Sequence, residues 1–201
     1  TPTPTETRAA TPTPSFTPSP TAFVGDAPQG RIVFVCFDGN DDEVCVMNVE
    51  DALQGTDGSG LARLTDNEFG DFYPLLSPDG QSIFFARQMR GSNYEIFRMN
   101  VDGSDVIQVT SNGAQNYAPS ASPDGTRLVF TSTQGSSAQQ IWVMGSDGLN
   151  AIQLTTEGES IDPSWSPDGR FITYASSRTG KRQIWIMNAD GSGQRQITES
   201  E

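Results

Sequence analysis

The stretch Asp162–Thr198, DPSWSPDGRFITYASSRTGKRQIWIMNADGSGQRQIT, decides the reading of this 201-residue chain. Two β-forming runs stand in it, FITYASS from Phe171 and QIWIMN from Gln183. Pro167-Asp168-Gly169 supplies φ near −65° and then a residue free to take positive φ, the chemistry of a tight turn between strands. Asp190-Gly191 does the same after the second run. Towards the N-terminus the same order recurs. Ser-Pro-Asp-Gly stands at Ser77–Gly80, Ser122–Gly125 and Ser166–Gly169, at spacings of 45 and 44 residues. SIFFARQ from Ser82 and RLVFTST from Arg127 match the first run, and EIFRMN from Glu95 and QIWVMG from Gln140 match the second. Short polar segments then close on Thr110, Thr155 and Thr198. An earlier copy is legible in RIVFVCF from Arg31, EVCVMNVE from Glu43 and LARLT ending at Thr65.

Each unit therefore holds four short strands. The inner one surrounds a proline (Tyr73–Ser77, Pro119–Ser122, Pro163–Ser166), two central ones follow, and a polar outer one ends the unit. Central strands carry apolar residues on both faces, as a sheet packed between two other sheets requires. Radially stacked blades meet that demand, and a period of about 40–45 residues marks a β-propeller. The fold expected is all-β: a β-propeller of four four-stranded antiparallel blades, at about 29–72, 73–117, 118–161 and 162–201. Only Glu199-Ser200-Glu201 follow Thr198, and Ala22–Ala27 makes a poor first inner strand, so the expectation is an excerpt of a larger ring.

The pattern Pro-x-Trp-Ser-Pro-Asp-Gly, then Ile-x-Tyr, then Ile-Trp-x-Met-Asn-x-Asp-Gly-Ser and a closing Ile-Thr resembles the WD-like propeller repeat of the TolB family. Asp162–Thr198 carries it best, through Trp165, Trp185, Met187, Asn188 and Asp190–Ser192. Departures are Leu76 and Ala121 where Trp165 stands, Gly145 for the usual asparagine, and an insertion around Asp51–Asp57. The first copy also has Pro28-Gln29-Gly30 in place of the turn motif. The resemblance implies a periplasmic or otherwise extracytoplasmic propeller that acts by binding protein. Nothing in the chain resembles that family's separate N-terminal domain.

Residues 1–28 read differently. Eight threonines and six prolines fall within residues 1–23, leaving nothing that could form a core. The expectation is a solvated Thr/Pro stalk of polyproline-II character, with any anchor lying upstream. It resembles the stalks that follow a lipid anchor or membrane helix in bacterial envelope proteins. No apolar run approaches the roughly 20 residues of a membrane helix.

Composition removes several functions. A net charge of −13 excludes nucleic acid as a partner. With no histidine in the chain, Ser-His-Asp and Cys-His catalysis and the usual zinc sites are excluded. No cofactor motif is present, and the chain is read as no enzyme.

The second-to-third and fourth-to-first connections lie at one end of the blades and vary between copies, and variable loops on a rigid scaffold are where binding usually lives. The aromatics there, Phe69, Phe72, Tyr94 and Tyr117, are candidate anchors for a protein or peptide partner. Arg178, Lys181 and Arg182 form a basic cluster in the last copy, against ten acids and two arginines in residues 30–76. Asp38, Asn40 and Asp42 are a weak calcium candidate, with an acidic hairpin tip as the plainer reading. With the first hairpin centred between Asn40 and Asp41, Cys36 and Cys45 lie opposite each other on one face. They form either a disulfide or two small apolar fillers. The function expected is a non-catalytic interaction or sensor module. The alternative is a substrate-gating propeller of a larger enzyme, similar to those of prolyl-oligopeptidase-type peptidases.

Overall fold

Ser-Pro-Asp-Gly builds the same hairpin three times in the computed structural model, which describes residues 30–37, 39–50, 60–91 and 93–199. In the first of these turns the Asp79 carboxylate accepts from the Ser77 hydroxyl (2.5 Å) and from the Gln81 amide (3.0 Å). Gly80 closes the turn at φ 68°, with its N–H on the Ser77 carbonyl at 2.8 Å. Asp124 and Asp168 repeat the arrangement with Ser122 and Ser166.

These turns and the Asp-Gly turns organise fifteen strands among the described residues. β1 (Arg31–Phe37), β2 (Asp42–Asn48) and β3 (Leu61–Arg63) form the first sheet. β4 (Asp71–Leu76), β5 (Ser82–Gln88), β6 (Tyr94–Asn100) and β7 (Ile107–Gln108) form the second. β8 (Asn116–Ala121), β9 (Arg127–Ser132), β10 (Gln140–Gly145) and β11 (Ile152–Gln153) form the third. β12 (Ser160–Trp165), β13 (Phe171–Ser176), β14 (Gln183–Asn188) and β15 (Arg195–Gln196) form the fourth. All neighbours pair antiparallel in chain order. This is the propeller expected. The first sheet has three strands among the described residues, and both the inner strand sought in Ala22–Ala27 and the stalk lie outside them.

Three apolar cores fill the seams between consecutive sheets. Val44 meets Ile83, Phe85 and Met99 between the first and second. Phe84 and Ile96 meet Phe130, Trp142 and Met144 between the second and third. Val129, Ile141 and Val143 meet Trp165, Tyr174 and Trp185 between the third and fourth. The tryptophans are thus seam packing. In β5 and β9 both faces are buried, whereas β14 alternates: Trp185 and Met187 face inward while Ile184 is 41 % exposed. Among the described residues, no strand of the last sheet packs extensively on the first.

The inner strands start earlier than the sequence suggested, because each contains a bulge. Pairing of β4 with β5 shifts between Phe72 and Leu75, of β8 with β9 between Tyr117 and Ser120, and of β12 with β13 between Ile161 and Ser164. At each bulge a residue with left-handed backbone precedes the proline: Tyr73 (φ 53°), Ala118 (φ 51°) and Asp162 (φ 53°). Proline cannot donate to a ladder, and a bulge on an edge strand is where a sheet tolerates it.

Candidate functional site

The bulges and the connections beside them bring four aromatic rings to the seam between the second and third sheets. Phe72 and Tyr73 come from β4, Tyr94 opens β6, and Tyr117 lies in β8. Tyr94 also forms a parallel bridge with Gln115, which ties the third strand of one sheet to the entry of the next. Phe72 meets Tyr94 edge-on with centroids 6.0 Å apart, Tyr94 meets Tyr117 at 6.3 Å, and Tyr117 meets Tyr73 at 5.5 Å. With Gln115 and Gln139 they line a cavity of about 290 Å³. Phe72, Tyr94 and Tyr117 are half-buried, and Tyr73 is 47 % exposed.

A second hollow of about 420 Å³ adjoins it along the inner strands, with Tyr73, Ala118 and Asp162 together in its wall. The Asp162 amide donates to the Thr131 hydroxyl at 3.1 Å, fixing the bulge that presents its exposed side chain. Burial, then the Asp162 charge, raises the pKa of both Tyr73 and Tyr117. Both phenols therefore stay protonated through the neutral range and keep their O–H donors. At the rim Arg182 pairs with Glu159 at 3.3 Å. The arrangement offers ring faces, hydroxyls, amides and one carboxylate: a contact surface.

Of the residues singled out in the sequence, Phe72, Tyr94 and Tyr117 converge here. Tyr73 was not among them. Its signal was its place before Pro74, the position that Ala118 and Asp162 hold in the next two repeats. Phe69 is half-buried in the 66–70 connection and lies outside the cavity wall. Arg178 is held in place rather than presented: its guanidinium lies 4.3 Å from the Trp185 ring centroid and donates to Gln194 (2.7 Å) and to the Tyr174 hydroxyl (2.9 Å). Lys181 is exposed in the connection before β14.

Asp38 lies outside the described residues, and among those described no three His, Cys, Asp or Glu side chains converge as metal ligands. Cys36 and Cys45 are joined by a disulfide with Cα atoms 5.9 Å apart. They are not directly opposite, as a hairpin centred after Asn40 would place them. Cys36 pairs with Glu43 and Cys45 with Phe34. The register differs by two residues, which keeps both cysteines on one face and makes the bridge diagonal.

The family model for the TolB beta propeller domain matches residues 6–201. Among curated proteins, none matches the chain. TolB from Acinetobacter baumannii superposes with a TM-score of 0.69 at 20 % identity, over 85 % of this chain and 42 % of that one. A TolB-assigned protein from Agrobacterium tumefaciens gives 0.68 at 25 % identity, over 86 % and 63 %. The chain thus spans between two-fifths and two-thirds of these relatives. Oligogalacturonate lyase from Vibrio parahaemolyticus shares the fold, with a TM-score of 0.60 at 14 % identity over 85 % and 50 %.

Proposed function

Because the chain belongs to the TolB beta-propeller family, we propose that it is a non-catalytic, extracytoplasmic interaction module that holds a protein or peptide partner at the variable-connection end of its blades. The observation that carries this reading is the cavity at the second seam, where Phe72, Tyr94 and Tyr117 meet ring to ring. Aromatic side chains offer large contact area at small rotamer cost, and they dominate the energetic centres of interfaces. The sheets beneath hold the rings still, so little ordering entropy is lost on binding. Tyrosine, phenylalanine and glutamine supply contact and hydrogen bonds rather than a nucleophile with its base. The disulfide between Cys36 and Cys45 suits an oxidising compartment and supports the extracytoplasmic setting.

The test starts from a partner captured by cross-linking in envelope extract and then purified. Tyr94→Ala and Tyr117→Ala should each weaken its binding at least tenfold, at unchanged circular dichroism. Unchanged affinity in both variants rejects the site, and conversion of the bound partner into product rejects the non-catalytic role.

A further inference from the structure

We propose that the aromatic cavity recognises an organic cation, the guanidinium or ammonium of a basic side chain on the partner, with ring faces from Tyr73, Tyr94 and Tyr117 and the counter-charge from Asp162. This rests on the interaction-site reading above and adds the chemistry of the group recognised.

The molecule shows what its aromatic rings accept elsewhere. Arg127 lies 4.6 Å from the Trp165 centroid, Arg87 4.9 Å from Phe97, and Arg178 4.3 Å from Trp185. Each pairing exploits the negative face of a ring. Among the described residues, no arginine or lysine is stacked on Phe72, Tyr73, Tyr94 or Tyr117, although these rings surround a cavity large enough for one side-chain head group. The nearby basic residue, Arg182, is engaged by Glu159 at 3.3 Å.

Charge points the same way. Asp162 shares a wall with Tyr73, and its field reaches both Tyr73 and Tyr117. An anion brought into this cavity would face the field of that carboxylate, from the adjoining hollow, and the faces of the rings, both of which repel it. A cation gains from both, and the net charge of −13 draws it in from solution. The bulge makes the carboxylate available. Left-handed backbone at Asp162 turns it out of the sheet ladder, at the position Tyr73 holds in the second sheet.

The chain has four tyrosines, three of them in this wall and the fourth, Tyr174, in the seam of the third and fourth sheets. The chain labelled with 3-fluorotyrosine therefore reports the site with an internal control. The probes are Ac-Gly-Arg-Gly-NH₂ and its neutral isostere Ac-Gly-citrulline-Gly-NH₂, followed by ¹⁹F NMR. The arginine peptide should shift the signals of Tyr73, Tyr94 and Tyr117 saturably and leave Tyr174 in place. The citrulline peptide should bind at least tenfold more weakly. Asp162→Asn should raise the Kd of the arginine peptide about fivefold or more while retaining the four-line spectrum of the folded protein. Equal binding of the two peptides at these tyrosines overturns the cation inference and leaves the interaction site standing. Failure of the arginine peptide to move the three signals, or preference for a neutral oligosaccharide there, also overturns it. Loss of the interaction site is read separately, from the purified partner's indifference to Tyr94→Ala and Tyr117→Ala.

Discussion

Thr110 donates its hydroxyl to the buried carboxylate of Glu95 and takes the Ile96 amide in return, locking the fourth strand of the second sheet to the third. The latch recurs as Thr65 with Glu43, Thr155 with Gln140, and Thr198 with Gln183. What differs is the neighbouring group. Glu95 also accepts the Gly113 amide at 2.8 Å, whereas Gln140 donates to the Gly158 carbonyl at 2.7 Å. Carboxylate faces a donor; amide faces an acceptor. Glu95→Gln therefore sets an N–H against an N–H and should cost about 1–3 kcal/mol, the penalty of a buried unmatched polar group. Gln140→Glu should destabilise similarly by setting carboxylate against carbonyl. Urea midpoints check both, and a loss below about 0.5 kcal/mol in either would show that the two groups are interchangeable.

A buried ion pair anchors the start of the second sheet. Asp71 is fully buried and holds Arg87 through two bonds of 2.7 and 2.8 Å, with the guanidinium over the stacked rings of Phe85 and Phe97. The third sheet uses Asn116 with Ser132 at these positions, and the fourth uses Ser160 with Ser176. Asp71→Asn alone strands a cation and should cost about 3 kcal/mol. Adding Arg87→Ser recreates the neutral pairing of the third sheet and should recover part of that loss in chemical denaturation. A double variant less stable than the single one would refute the equivalence.

Acid stability follows from the repeated turns. Hydrogen bonds from Ser122 and Ser166, then from the backbone amides that follow, hold Asp124 and Asp168 down to about 2. A carboxylate whose folded pKa is depressed stabilises fully above its unfolded value, about 3.9, and loses that contribution as pH falls towards the folded value. Melting temperature should therefore drop between pH 4 and pH 2. Asp124→Asn/Asp168→Asn should melt lower than the parent at pH 6, with the gap closing as pH falls through that window. A gap independent of pH would remove the turns as its source.

The Cys36–Cys45 bridge closes a span of nine residues, so it should contribute no more than about 2–3 kcal/mol. Denatured, unreduced protein should show no free thiol, and reduction should lower the melting temperature without unfolding the chain at room temperature. Two free thiols per chain would contradict the bridge.

Much of this architecture was legible because turn chemistry and strand period coincide: three Ser-Pro-Asp-Gly turns in register leave little choice of strands. The bulges were not legible. A residue before proline ordinarily avoids helical backbone, so nothing local announces left-handed Tyr73, Ala118 and Asp162, and the strand starts at Asp71, Asn116 and Ser160 fall outside the inner strands that the prolines mark. The same blind spot hid Tyr73 from the site. The basic cluster expected at Arg178, Lys181 and Arg182 carried no sign of the Trp185 ring and the Gln194 side chain that engage Arg178, because nothing local announces them. The cysteine register was off by a full pleat repeat, which preserves the face and so leaves the apolar pattern unchanged.

The left-handed residues before the prolines have a wider consequence. Their side chains leave the ladder where no strand partner opposes them, so sheet pairing places no demand on what they are. A phenol, a methyl and a carboxylate occupy three structurally equivalent positions along the same hollow. Inheritance by repeat duplication would then supply identical blades, and point changes at these three sites alone could rewrite what the hollow selects while every seam stays as it was.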